Sequence, residues 1–242
     1  MKYAGLALLM LSTALLGQST IPPGTILPVE LDSAIRSARS RPGQVLSART
    51  MQDVPLADGA KIKSGTKVLG RVIAVQRLTS GVGAKITLRF DSLVVGRRGI
   101  PIVTNLRALA SMLEVNEAQV PETGPDRGSD AFDWGTIQIG GEADYHGSVI
   151  TNGFRTVGRS VPPTGALVQP MAIRGTCRAK LDENNQAQAT WVFGSNACGL
   201  YGFPNLMLAH AGRTDPLGEI VLTSDHGTVE VRAGSGMLLR VD

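Results

Sequence analysis

The sequence predicts a mostly β protein, an antiparallel barrel or sandwich with a large β-rich insertion and little helix. Three observations carry this. Its 242 residues include 29 Gly and 13 Pro, the composition of a chain that turns often. Several segments alternate apolar and polar residues, most clearly "AKITLRFDSLVV", where Ile86, Leu88 and Phe90 fall on one face and Lys85, Thr87, Arg89 and Asp91 on the other. Beyond the first twenty residues, no long stretch keeps a helical period.

The opening residues, "MKYAGLALLMLSTALLGQS", place one lysine before an apolar run from Ala4 to Gly17 and end on small or polar side chains. That is the layout of a secretory signal peptide over residues 1–19. The run is shorter than the roughly 20 residues a spanning helix needs, and no cysteine near its end offers a lipid attachment point. The expectation is an exported protein, periplasmic or associated with the cell envelope, with no transmembrane span once the signal is removed.

The next stretch, "IPPGTILPVELDSAI", reads as a strand launched from a tight turn. Its prolines hold the entry extended and place the strand at an edge or a strand start, and Gly24 supplies the turn conformation. The same device recurs at "SGTKVLGRV" (64–72) and "AGSGMLLRV" (233–241), each with Gly before Thr or Ser and then a short apolar strand. Several strands are expected to enter one sheet in this manner. Between them, "KVLGRVIAVQRL" and "AKITLRFDSLVV" flank the turn "TSGVGA" as a long hairpin. "GRRGIP" is the next turn, after which "IPIVTNLRALA" is expected to pair back and complete an antiparallel meander.

From Ser111 to Trp134 the alternation lapses into an acidic stretch punctuated by Pro and Gly, expected as a surface loop with one helical turn near Met112 to Glu117. Strands resume at "GTIQIGGEADY", "AIRGTCRAKL" and "ATWVFGS", and the last segment, "GEIVLTSDHGTVEVRAGSGMLLRVD", offers two or three more.

"IPPGTILPVELDSAI", "PGQVLSARTMQDV", "KIKSGTKVLGRV" and the closing "GTVEVRAGSGMLLRV", in that order, resemble the β-barrel domain of the TrbI-like proteins of conjugation and type IV secretion and of related stand-alone exported bacterial proteins. The resemblance covers roughly residues 21–110 and 225–242. It implies that residues 20–110 and 225–242 belong to one barrel and that 111–224 is an insertion. Channel-building members of the family carry an N-terminal transmembrane helix, a proline-rich spacer and an apolar helical pair that lines the pore; here a signal peptide is expected in place of the helix, and neither a proline-rich spacer nor an apolar helical pair within 111–224 is expected. The resemblance therefore carries over the fold and the envelope location, and not the channel role.

Charge is uneven along the chain. Residues 1–110 hold 15 Lys/Arg against 5 Asp/Glu, and residues 111–242 hold 9 against 15. Arg36, Arg39 and Arg41 in "RSARSRPG", with Lys61 and Lys63 in "GAKIKSG", would form a patch for an anionic partner if their loops met at one barrel end. Two Trp, three Tyr and five Phe, none interleaved with these charges, argue against base stacking on nucleic acid. An anionic envelope polymer or an envelope protein is the more natural partner.

Cys177 and Cys198 are the only cysteines, and in an exported chain the pair points to a disulfide. It would close a loop of about 20 residues and stabilise the fold by about 3 kcal/mol in the loop-entropy view. The three histidines stand far apart in sequence with no metal-ligand spacing, so no metal and no cofactor is expected. No G-x-S-x-G elbow is present, and Ser235 in "AGSGM" is explained as a strand entry. One turn, "AHAGRTDPLGE", gathers His210, Arg213 and Asp215 and is the place where a small envelope hydrolase would keep its acid–base pair. The functional expectation is nevertheless a non-catalytic binding or structural module of the cell envelope. An accessory component of a secretion or conjugation machine is the other alternative.

Overall fold

Three strands of the protein begin in the same way. Gly24, Gly65 and Gly234 each take a positive φ (85°, 78° and 81°), a region that a Cβ disfavours. The next residue's N–H then donates to the carbonyl three residues back: Thr25 to Pro22, Thr66 to Lys63 and Ser235 to Arg232, at 3.2 Å each. One residue later the strand starts. The repeated Gly-Thr/Ser device is thus a four-residue turn with glycine at its third position.

The computed structural model describes residues 21–79, 82–119, 138–141, 143–161, 165–169, 171, 186–209 and 216–242. In the first part of the chain are β1 (Ile26–Leu31), β2 (Ile35–Arg36), β3 (Val45–Thr50), β4 (Val54–Pro55) and β5 (Lys61–Ile62). The hairpin of β6 (Lys67–Gln76) and β7 (Ala84–Val95) follows, then β8 (Arg98–Pro101), β9 (Thr104–Ala110) and helix α1 (Met112–Ala118). Next come β10 (Asp144–His146), β11 (Val149–Asn152), β12 (Arg155–Ser160), β13 (Ala166–Val168) and β14 (Gln188–Ala189). The chain closes with β15 (Gly199–Tyr201), β16 (Met207–Ala209), β17 (Ile220–Ser224), β18 (Glu230–Val231) and β19 (Gly236–Val241).

Nine strands form a nearly closed barrel in the order β15-β9-β19-β1-β3-β6-β7-β17-β16, and β8 hangs on β7. Every pairing is antiparallel except β15 with β9. The alternating residues of these strands point into one apolar cluster that includes Leu27, Val29, Leu46, Val68, Ile86, Leu88, Phe90, Leu222 and Leu239, all essentially inaccessible to solvent. Each such side chain contributes about 1.5–3 kcal/mol on leaving water. The mostly β, antiparallel barrel expected from the sequence is the architecture observed. No helix among the described residues is long and apolar enough to cross a membrane.

Two local expectations change. β1 is a central strand, between β19 and β3, and Pro28 is accommodated because the β3 ladder begins one residue later, at Val29 opposite Thr50. A missing N–H at residue 28 therefore leaves no gap in that ladder. The meander also ends at β8: β9 crosses to pair with β19 and β15 instead of returning to β7. All seven residues of β9 are buried, so it needs cover on both faces, which a strand at the end of a meander lacks.

That outer cover is a second apolar layer. Val115 and Ala118 of α1, with Ile139, Val192, Phe193 and Ala197, pack on Ile26, Ala108, Ala110 and Leu238 of the barrel's outer face. Small side chains at 108 and 110 let the covering segments approach. Five further strands form a separate sheet, β10-β11-β12-β13-β14, with its own core of Ala143, Tyr145, Ile150, Val157, Ala166 and Val168, while β2 with β18 and β4 with β5 form two-stranded ribbons. Within 111–224, then, β15, β16 and β17 join the barrel sheet, and only the strands between Asp144 and Ala189 form the second sheet.

A buried glutamine ties the two sheets together. Gln52 Oε1 accepts from the N–H of Ala166 at 2.9 Å and of Trp191 at 2.8 Å. Trp191 is the one non-glycine with positive φ (54°) among the described residues, and its carbonyl accepts from the Tyr145 hydroxyl. Its unfavourable backbone conformation is held from both sides.

Candidate functional site

The five basic residues expected to form a patch lie at opposite ends of the barrel. Arg36, Arg39 and Arg41 precede β3, at the end where β1 finishes. Lys61 and Lys63 sit where β3 finishes: the Thr50 hydroxyl donates to the Lys63 carbonyl at 2.7 Å, and the Thr50 N–H donates to Thr66 O at 3.0 Å. The six residues of β3 separate the groups by roughly 17–20 Å at about 3.3 Å per residue. The structure does not bring the five together, because the loops that carry them flank one strand instead of sharing a rim.

At the lysine end the charge is largely answered. Asp53 Oδ2 lies 2.7 Å from Lys61 Nζ and 3.5 Å from Lys63 Nζ, and Asp53 Oδ1 accepts from the Ser64 N–H at 2.9 Å. The hydrogen bond from Lys61, with that from Ser64, holds the Asp53 carboxyl down at about 2. The same contact raises Lys61.

The arginine end is built differently. β2 and β18 form a two-stranded ribbon in which Arg36 faces Glu230 and Ile35 faces Val231. Ile35, Val229 and Val231 are fully buried in the barrel's core, so the ribbon caps this end. Arg36 Nε donates to Glu230 Oε1 at 3.1 Å, and Arg232 Nε lies 3.8 Å from the same oxygen. The following turn is tightly bonded. Ser37 accepts from the Val229 N–H through its hydroxyl (3.0 Å) and donates its own N–H to the Val229 carbonyl (2.9 Å). Ser40 donates its N–H to Arg36 O at 2.7 Å, and its hydroxyl accepts from the Arg36 N–H at 3.2 Å. Both serines are buried, and Arg39 and Arg41 between and beyond them are exposed. In "RSARSRPG" the serines anchor the turn and the arginines are displayed.

Beside this cap opens a cleft of about 300 Å³, at the small end of the range for ligand sites. One wall is Ser111, Met112 and Leu113 at the start of α1, another is Gly202 and Phe203 after β15, and the third is Glu230, Arg232 and Ser235. Gly202 (φ 71°) is required here, because a Cβ would meet Ser111 Oγ at 2.4 Å and Glu114 Cγ at 2.7 Å. The Ser111 hydroxyl is occupied as the helix cap, accepting from the Glu114 N–H at 3.3 Å.

Ser235 departs from its counterparts. In the two other copies of the turn the hydroxyl donates to the carbonyl three residues back: Thr25 to Pro22 O and Thr66 to Lys63 O, each at 2.6 Å. Ser235 is wholly buried, yet its hydroxyl has no hydrogen-bond partner among the described residues. Arg232, whose carbonyl is the equivalent acceptor, also lines the cleft.

His210, Arg213, Asp215 and Cys177 lie outside the described residues. The other cysteine, Cys198, sits in a closed turn, its N–H donating to the Tyr201 hydroxyl at 2.9 Å and its carbonyl accepting from that hydroxyl at 3.0 Å. Next to it, Arg107 is fully buried, donating to Ala197 O (2.8 Å) and Ser195 O (2.9 Å). Burial pulls the Arg107 guanidinium down to about 10, and the nearby Arg240 adds to this. It remains charged at neutral pH. Among the described residues no three His, Cys, Asp or Glu form a group that could hold a metal ion.

The sequence alone does not single out Glu230, Arg232 or Phe203, and reads Ser235 as a strand entry. The one signal for it is the place of Ser235 in a thrice-repeated turn whose other copies carry threonine. No family model matches the chain, and no curated protein matches it.

Proposed function

We propose that the protein is a non-catalytic, exported cell-envelope protein, a binding or structural module on a TrbI-like barrel, whose arginine end meets an anionic envelope partner. One observation carries this. Arg39 and Arg41 are exposed, held on a turn fixed by two buried serines, and form no ion pair among the described residues. The lysines of the other end share a carboxylate instead. Fixed, unanswered cations attract an anion without first losing the freedom of a flexible loop.

Export through a signal peptide over residues 1–19 and a Cys177–Cys198 disulfide belong to the same proposal. In support of the disulfide, Cys198 is not a free thiol. The test is capture from an envelope fraction of the protein's own cells, with the Arg36→Ala/Arg39→Ala/Arg41→Ala variant alongside. A defined anionic partner held by the parent and lost by the variant is the expected result. Equal capture by both, or none by either, overturns the proposal.

A further inference from the structure

We infer that one copy of the chain seats Phe154 in the cleft of a second copy, a head-to-tail contact between a hairpin tip and the space beside the arginine cap.

The projecting element is the tip of the β11–β12 hairpin. Asn152 pairs with Arg155, so Gly153 and Phe154 make up the whole turn. Gly153 takes φ 54° and Phe154 takes no positive φ, the pattern of a type II′ turn. Such a turn needs glycine at its first central position and no apolar side chain at its second. Phe154 nevertheless stands there and is 110% exposed, as open to water as in an extended chain. The next most exposed large apolar residues described are Val45 at 67% and Leu113 at 62%. The tip is also fixed in place: Asn152 Nδ2 donates to Met171 Sδ at 3.0 Å and lies 3.5 Å from Ser195 Oγ. An aromatic ring on a fixed turn gives up little freedom on binding, which suits it to anchor a contact.

The receiving element is the cleft. Leu113 forms part of its wall, with the half-buried Met112 and Phe203. At about 300 Å³ it has room for a phenyl ring, since a cavity of about 150 Å³ takes a benzene molecule. Four charges stand around it and balance: Arg36 and Arg232, both on Glu230, and Glu114 beside Gly202. Of these, only Glu114 forms no ion pair among the described residues. On the hairpin, Arg155 follows Phe154, is exposed, and forms no ion pair among the described residues either. The other charged or titratable groups of that sheet face stand farther from the tip, Asp144 opposite Thr151, and His146 and Arg159 on either side of Val149. A ring seated among Met112, Leu113 and Phe203 brings Arg155 to the rim where Glu114 lies, so apolar meets apolar and the two unanswered charges are of opposite sign.

Anchor and cleft are different surfaces, so the contact is heterologous and can repeat from copy to copy. One side chain and its rim fall short of the roughly 1,200 Å² of a stable interface, so the association is weak and belongs to high protein concentration.

The experiment is sedimentation velocity of the full chain in low salt, up to millimolar concentration, on the parent, Phe154→Ser, Leu113→Lys, Arg155→Gln and an equimolar mixture of the first two variants. Phe154 and Leu113 are exposed, so neither substitution disturbs the core. The parent should associate as its concentration rises. Phe154→Ser and Leu113→Lys should each weaken this at least about tenfold, as for the central residue of a contact, and Arg155→Gln severalfold. The mixture should recover a one-to-one pair, because one variant keeps the cleft and the other keeps the anchor. The inference is overturned if the parent stays monomeric, if any of the three variants associates as the parent does, or if the mixture fails to pair. That last result is what a contact using Phe154 on both sides would give. None of these substitutions touches Arg36, Arg39 or Arg41, so this inference and the proposal of an anionic partner can fail separately.

Discussion

Arg36 and Glu230, 194 positions apart in sequence, form an ion pair at 3.1 Å that joins an early strand to the next-to-last one. Both side chains are 39% exposed, so the pair contributes no more than about 1 kcal/mol. Its larger effect is electrostatic. Glu230→Gln should lower stability in urea by less than about 1 kcal/mol and tighten binding of an anionic partner at low salt. Weaker binding in that variant would contradict the placement of the recognition surface at this end.

Gln52 is expected to hold the second sheet to the barrel. Gln52→Ala strands the buried N–H groups of Ala166 and Trp191 and should cost about 2–3 kcal/mol. Hydrogen exchange checks where the loss falls. Protection should drop first across Tyr145 to Val168, with β1, β3 and β6 retaining theirs.

Arg107 anchors the segment that carries Cys198. Arg107→Ala leaves a cavity and two carbonyls without their donors, and should destabilise the chain by about 3 kcal/mol or more. Arg107→Lys should rescue little, since an ammonium lacks the planar fork that reaches both carbonyls at once. Chemical denaturation of the two variants separates loss of charge from loss of geometry.

Asp53 sets an acid limit. Its carboxyl lies lower in the fold than in the unfolded chain, about 2 against 3.8, so its contribution is complete above about pH 4 and is lost as pH falls towards 2. Solvent screening keeps the effect to about 1 kcal/mol. Asp53→Asn should be less stable than the parent at pH 6 and should converge with it near pH 2, as measured by urea unfolding across that range.

The alternation of Ile86, Leu88 and Phe90, the 64–72 and 233–241 turns and the helical start at Met112 were legible because each is set by local rules of side-chain period, glycine conformation and capping. The path of β9 was not legible from periodicity. Its burial on both faces depends on α1 and the 190–197 segment covering it, which is long-range packing. The division of the basic residues between two ends follows from strand direction, which a list of loop charges does not contain. The cleft was hidden for the same reason. Its walls come from α1, the turn after β15 and the β18 to β19 connection, and only the fold brings them side by side.

The most direct measurement is co-sedimentation of the chain with its insoluble anionic envelope fraction across a salt series, comparing the parent, the Arg36/Arg39/Arg41 triple alanine and a Lys61/Lys63 double alanine. Release of the parent by rising salt, early release of the arginine variant and parent-like behaviour of the lysine variant are predicted. Early release of the lysine variant with the arginine variant unchanged, or no sedimentation of the parent at low salt, would contradict recognition at the arginine end.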